Sequence, residues 1–320
     1  MTRASSLTTA ETAKLTRRVT LLSVTVALVL VSLKAAAWLV SGSVALLASM
    51  ADSGLDLVAS LVTYFAVRYA AAPPDEEHRF GHGKAEAFAS LVQAGLVFAS
   101  AALIGQEAVR SLIEPQPLAQ EGLAVAVMIV SLVLTGGLIA AQSWVLRRTA
   151  SIAVAGDRAH YATDLASNTV ALLGIAGAAW LGLGHVDALA ALVISALLLW
   201  GAVSVFRDAA GQLMDHELPL ADREAIIALV TADPRLTDVH QLRTRASGPY
   251  IHMQMHVDLD PKLSLEDAHS VLVAAEKRVL EAYPRADILM HPDPRGAAEP
   301  HGGAFAEISL GKRALNVDPR

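Results

Sequence analysis

The sequence predicts an all-α membrane domain of six helices followed by a small α+β domain. Three observations carry that prediction. Residues 19–208 form a series of apolar stretches, each about 20 residues or more, the length needed to cross a hydrocarbon core. Residues 209–320 have an ordinary soluble composition instead. Within that second part, short runs alternate apolar and polar residues with the period of a half-buried strand, between stretches of helical period. The whole chain of 320 residues is 54% hydrophobic with a mean hydropathy of +0.46, against about 45–50% apolar for soluble domains.

Six spans follow in order. The first runs from about Val19 to Val40 and the second from Ser43 to Tyr69. The third covers Ala85 to Leu112 and the fourth Gly122 to Leu146. The fifth extends from Ile152 to Leu181 and the sixth from Val186 to Phe206. Arg3, Lys14, Arg17 and Arg18 precede the first span, which is too long for a signal-peptide core of roughly 7–15 residues. Arg68, Arg79 and Lys84 flank the second connection, and Arg147, Arg148 and Arg158 the fourth. Lys and Arg concentrate on the cytoplasmic side, so the N-terminal segment (1–18), these two loops and the C-terminal part are expected in the cytoplasm. In the C-terminal domain (209–295) a helix is expected over 219–232, strands over 238–246 and 250–259, a helix over 264–282 and a last strand over 286–291. Ser247-Gly248-Pro249 reads as the turn between the first two strands. The Gly/Ala-rich tail, 296–320, is expected to be disordered.

Charge and composition exclude several classes. A net charge of −6 argues against nucleic acid as a partner, since phosphate binding needs a concentrated basic face. With no cysteine, disulfides, thiolate metal sites and thiol nucleophiles are excluded. No His-Glu-x-x-His helix of a metalloprotease is present.

The strongest chemical signal is charge inside the apolar spans. The second span carries Asp52 and Asp56; the fifth carries His160 and Asp164. Each pair is spaced i, i+4, so each presents two ligands on one helical face. A single carboxylate at the bilayer centre costs at least about 2.5–3.5 kcal/mol. Three carboxylates and a histidine at similar depth need a cation to offset that cost. One nitrogen and three oxygens suit a four-coordinate Zn²⁺. Asp52 lies about 9 residues, or ~14 Å, from the outer end of its span, and the fifth-span pair lies ~12–18 Å from the inner end, so the two pairs can meet near the midplane. Ser60 and Asn168 extend the same two faces.

A second cluster lies in the 2–3 loop, Asp75-Glu76-Glu77-His78-Arg79-Phe80-Gly81-His82-Gly83-Lys84. Its glycines allow the tight backbone a metal loop needs. A third comprises His240, His252, His256, His269, His291 and Asp293, several of them on strand faces. Histidine is the commonest metal ligand.

Taken together these motifs resemble the cation diffusion facilitator family, in its bacterial zinc/ferrous-iron efflux type. The resemblance spans about residues 15 to 295. It rests on Asp52–Asp56 after Ser43-Val44-Ala45-Leu46-Leu47-Ala48, on His78-Arg79-Phe80-Gly81-His82-Gly83-Lys84-Ala85-Glu86 and on His160-Tyr161-Ala162-Thr163-Asp164. Leu242-Arg243-Thr244-Arg245-Ala246-Ser247-Gly248-Pro249 and Met290-His291-Pro292-Asp293-Pro294 also match. It implies a transport site of Asp52, Asp56, His160 and Asp164 and a loop site of Asp75, His78 and His82. It implies a two-metal cytoplasmic site of His240, His256, His269, His291 and Asp293. It further implies a ferredoxin-like, metallochaperone-like C-terminal domain, a homodimer and a bacterial inner (plasma) membrane. His252 and the tail with His301 are departures from the pattern.

The function so implied is not enzymatic. It is export of a divalent metal, Zn²⁺ before Cd²⁺, Fe²⁺, Co²⁺ or Mn²⁺, with Zn²⁺ both as substrate and as a structural or regulatory ion and protons as the counter-ion. Metal binding to imidazole and carboxylate displaces protons. Driving a divalent ion outward against an inside-negative potential of 100 mV costs about 4.6 kcal/mol, half of which one returning proton offsets.

Overall fold

A computed structural model describes residues 7–42, 44–113, 122–181 and 184–296. It divides into two compact units, Thr12–Leu213 and Met214–Arg320, the latter grouped with Met1–Glu11. The expected tail lies outside the described residues, apart from Gly296.

The first unit is built from long helices: α1 (Thr9–Ser41), α2 (Val44–Ala70), α3 (Lys84–Ile113), α4 (Gly122–Thr149), α5 (Ile152–Leu181) and α6 (Gly184–Leu213). Each stretch expected to span is helical, and most of the helices continue past the apolar core. α1 begins ten residues before Val19, where Thr8 and Glu11 form a reciprocal capping box: the Thr8 amide donates to Glu11 Oε2 at 2.8 Å and the Glu11 amide to Thr8 Oγ1 at 3.3 Å. α1 ends at Gly42, whose φ of +66° lets its amide reach back to the Trp38 carbonyl at 2.7 Å.

Burial in this unit is inverted relative to a water-soluble bundle. Trp200 is 81% exposed and Leu39 75%, whereas Gln93, Gln142 and Asp157 are fully buried. That arrangement suits hydrocarbon outside and hydrogen-bonded polar groups between helices. Thr16, Thr20 and Ser23 return their hydroxyls to carbonyls four residues back, which satisfies three donors on the inner face of α1. Among the described residues, five helices are long and apolar enough to cross a membrane.

Small residues set the interhelix distances. α3 packs along both α5 and α6. A Cβ on Gly156 would stand 2.9 Å from Ser90 Oγ and 3.1 Å from Ser90 Cα, so α5 approaches α3 closely only because residue 156 is glycine. Ser195 Oγ donates to the Ala101 carbonyl at 2.7 Å and ties α6 to α3.

The second unit runs α7 (Leu220–Val230), β1 (Val239–Ser247), β2 (Tyr250–Leu259), α8 (Leu265–Ala282) and β3 (Ala286–Pro294). The sheet order is β1-β2-β3, antiparallel in the hairpin and parallel between β2 and β3. Gly248, at φ +55°, makes the tight turn where Ser247 faces Tyr250. Met253, Met255, Val257, Val271, Ala275, Val279 and Ile226 form the core between sheet and helices. β3 runs three residues beyond the expected end at 291; Pro292 and Pro294 are tolerated because β3 is an edge strand. The observed αββαβ order has one strand fewer than the βαββαβ order of a ferredoxin-like unit.

Candidate metal centres

The transport-site candidate sits between α2 and α5. Helical geometry places residues four apart on one face, and His160 and Asp164 use that spacing on α5. His160 Nε2 lies 3.0 Å from Asp56 Oδ1 of α2 and 3.8 Å from Asp164 Oδ2. His160 is 4% exposed and Asp56 6%. Two buried atoms here, His160 Nδ1 and Asp164 Oδ2, have no hydrogen-bond partner. Buried polar atoms normally find partners, so this donor set is incomplete as it stands and fits a cation. Asp52 is not in the group: it lies one turn earlier on α2 with its side chain exposed.

A shell of polar residues surrounds this cluster. Ser60 Oγ and Tyr161 Oη are 2.7 Å apart, and Tyr161 Oη donates to the Ser23 carbonyl at 3.3 Å. Ser60 therefore does extend the α2 face, as a partner of Tyr161. Asp157 accepts from Gln142 Nε2 at 2.8 Å and from Gln93 Nε2 at 3.3 Å. Lys34 of α1 donates to Ser53 Oγ at 2.6 Å and to the Ser49 carbonyl at 3.2 Å. Neither Lys34 nor Asp157 was singled out from the sequence. The signal was there, since each is an ionisable group inside an apolar span.

The loop candidate is compact. Asp75 Oδ1 accepts from the His78 amide at 2.6 Å and the Glu77 amide at 3.0 Å, an Asx turn that Gly81, at φ +78°, lets the chain continue. The His78 backbone N–H, more than any other contact, holds the Asp75 carboxyl below its ordinary pKa. His78 Nδ1 lies 3.2 Å and His82 Nε2 3.1 Å from the two Asp75 oxygens. His82 is buried under the Tyr69 ring, 4.4 Å between centroids, and neither of its nitrogens makes a hydrogen bond. All three expected loop residues meet.

Strand register assembles the third cluster. His240 pairs with His256 across β1 and β2, and His256 with His291 across β2 and β3, so three imidazoles stand in a row. Asp293 Oδ2 lies 3.0 Å from His240 Nε2 and 2.9 Å from His256 Nδ1, and Asp293 Oδ1 lies 3.3 Å from His291 Nε2. Burial tends to raise the Asp293 pKa, but the hydrogen bond and charge of His256, with His291 and His240, hold it below the usual value. Asp258 joins from β2, 3.7 Å from His240 Nδ1, and its own Oδ1 is otherwise unpartnered. It was missed in the sequence because it reads as one more polar residue of an alternating strand. His269 stands exposed on α8, outside the group. His252 pairs with Asp287 at 3.1 Å.

Comparison with known proteins gives the family. The profile described as cation efflux transmembrane domain matches residues 20–214, and that of the cation efflux protein, cytoplasmic domain, matches 218–295. The chain belongs to the cation diffusion facilitator family. It is 38% identical to the cation-efflux pump FieF of Salmonella arizonae over 281 residues, covering 88% of this chain and 93% of the relative. The FieF of Salmonella choleraesuis is 37% identical over 292 residues, 91% of this chain and 97% of the relative. A zinc-form structure of CzrB, studied as a zinc transporter, matches 27% of this chain and 99% of its own, at 28% identity and a TM-score of 0.25. As a member of the family, the chain is a membrane-spanning cation efflux transporter and not an enzyme.

Proposed function

We propose that this facilitator exports a divalent transition metal, Zn²⁺ foremost, in exchange for protons, by alternating access at Asp56, His160 and Asp164, with Asp52 closing the ligand set. The observation that carries the reading is the meeting of Asp56 and His160 at 3.0 Å between two helices, with Asp164 at 3.8 Å. Imidazole nitrogen with carboxylate oxygens is a donor set for Zn²⁺, and Cd²⁺, Fe²⁺, Co²⁺ and Mn²⁺ follow it. The relatives named cation-efflux pumps support outward movement of metal.

In this reading α5 completes a six-span domain: His160 and Asp164 face Asp56 of α2, and Asp157 faces Gln93 of α3 and Gln142 of α4, rather than lipid. The N- and C-terminal segments face the cytoplasm of a cell whose inner membrane holds the protein. The C-terminal unit is a ferredoxin-like domain reduced by its first strand, and it joins two copies into a homodimer, as the dimerisation profile over 218–295 suggests.

The chain's own groups carry the proton step. From the inside, metal displaces protons from His160 and from Asp56 or Asp164; from the outside, protons return to the same atoms and the metal leaves. The residues at 240, 256, 291 and 293 fit a resident Zn²⁺ by their chemistry, two or three imidazoles converging on one carboxylate beside an unpartnered Asp258 oxygen. There the ion would supply a structural link among three strands. Asp75, His78 and His82 are proposed as a further metal site at the mouth of the pathway.

The test is dependence on an imposed pH gradient. In proteoliposomes, Zn²⁺ movement should speed up with an opposing proton gradient and slow when an ionophore collapses it. Movement indifferent to the gradient would make the protein a channel or uniporter instead.

A further inference from the structure

Lys34 is an unusual residue for its place. It lies in the apolar stretch of α1, 6% exposed. Its ammonium does not reach the membrane surface. It turns inward to α2, to Ser53 Oγ at 2.6 Å and the Ser49 carbonyl at 3.2 Å. Ser53 follows Asp52 and precedes Asp56 by three residues, so the ammonium is anchored within the transport motif itself. Asp56, Asp52 and Asp164 all act on it electrostatically. A neutral donor such as serine would tie α1 to α2 at far lower cost, because a buried charge must be compensated. The ammonium has three N–H donors, and a hydroxyl and a carbonyl take two of them.

The charges sum in an instructive way. With His160 and Asp157 neutral, the carboxylates of Asp52, Asp56 and Asp164 and one ammonium leave two net negative charges. A divalent cation neutralises those two. A monovalent ion leaves the site charged in a medium where charge is costly. The ammonium also repels the metal it stands beside, so the site binds less tightly than its carboxylates alone would allow.

We propose that Lys34 is a built-in counter-charge of the transport site, matching it to a divalent ion and holding its affinity low enough for release. The proposal rests on the transport-site reading above. Lys34 acts through the field it adds at the ligands and is a positioning residue in that sense.

The test is metal flux into proteoliposomes of the full chain at one alkaline pH, with KM and kcat measured separately for Zn²⁺. Lys34→Gln should lower KM about tenfold or more, since a unit charge near a divalent ion is a large term in a low dielectric, and should lower kcat because release slows. Lys34→Arg should stay near wild type. Ser53→Ala keeps the charge but removes its 2.6 Å anchor, freeing the ammonium toward the carboxylates; KM should rise. A Lys34→Gln protein with unchanged or higher KM overturns the proposal and leaves Lys34 as a tie between helices. If Lys34→Gln does not fold, Ser53→Ala decides: unchanged KM with a lower Tm overturns, a raised KM supports. Asp56→Ala in the same assay separates the two levels. If it transports normally, the site reading itself fails; if it is inactive while Lys34→Gln keeps the wild-type KM, only the role of Lys34 fails.

Discussion

At the residue scale, three of the four residues expected in one site come together from two helices. Asp56, His160 and Asp164 meet, while Asp52 stays exposed one turn away, about 6 Å along the helix axis at 1.5 Å per residue. Spacing shows which residues share a face but not how far along that face the neighbouring helix reaches. His160 is the one nitrogen ligand of the proposed site, so it should set the metal preference. His160→Asp makes the donor set all oxygen, which suits harder ions. We expect the variant to lose Zn²⁺ and Cd²⁺ selectivity over Mn²⁺ by about tenfold or more in competition flux, the factor that about 1.4 kcal/mol of differential binding produces. An unchanged order of metals would remove His160 from the selectivity account.

Elements carry two further expectations. Gly156 sits where a Cβ would overlap Ser90 of α3, whereas a Cβ on Gly95 meets nothing within 4 Å. Thermal unfolding in detergent should show Gly156→Ala destabilised by about 1–3 kcal/mol, through forced separation of α5 from α3. Gly95→Ala should be neutral or stabilising, by up to about 1 kcal/mol, through helix propensity. In the C-terminal unit, Arg235 clamps Asp233 with bonds of 3.0 and 2.8 Å after α7. The Arg235 side chain is the main cause that pulls the Asp233 pKa from 3.8 to about 2. A depressed folded-state pKa adds stability that is present above the unfolded value and is lost as pH falls through the folded one. The window is therefore about pH 4 down to about pH 2. Asp233→Ala should flatten acid destabilisation across that window, modestly because the pair is solvent-screened. An identical acid limb in the variant would show that the clamp contributes nothing.

For the whole molecule, the division into an apolar helical part and an α+β part was legible because each part repeats its pattern over many residues. The loop triad was legible too, since Asp75, His78 and His82 lie within eight residues and only a local turn is needed to join them. The third cluster was legible as a set of histidines but not as a geometry. Strand register, with a bulge between His240 and Arg243, decides that His240, His256 and His291 line up, while His269 lies exposed on α8 outside the row. Register depends on long-range pairing that no local pattern states. The Asp157–Gln93–Gln142 network was illegible for the same reason, because it joins α3, α4 and α5 across 64 positions of sequence.

The measurement that bears most directly on the central claim is Zn²⁺ uptake by proteoliposomes with a pH-sensitive dye trapped inside, wild type beside Asp56→Ala. The account predicts that wild type moves Zn²⁺ with protons counter-moving and that the variant moves neither. Normal transport by Asp56→Ala, or Zn²⁺ movement in wild type without protons, would contradict it.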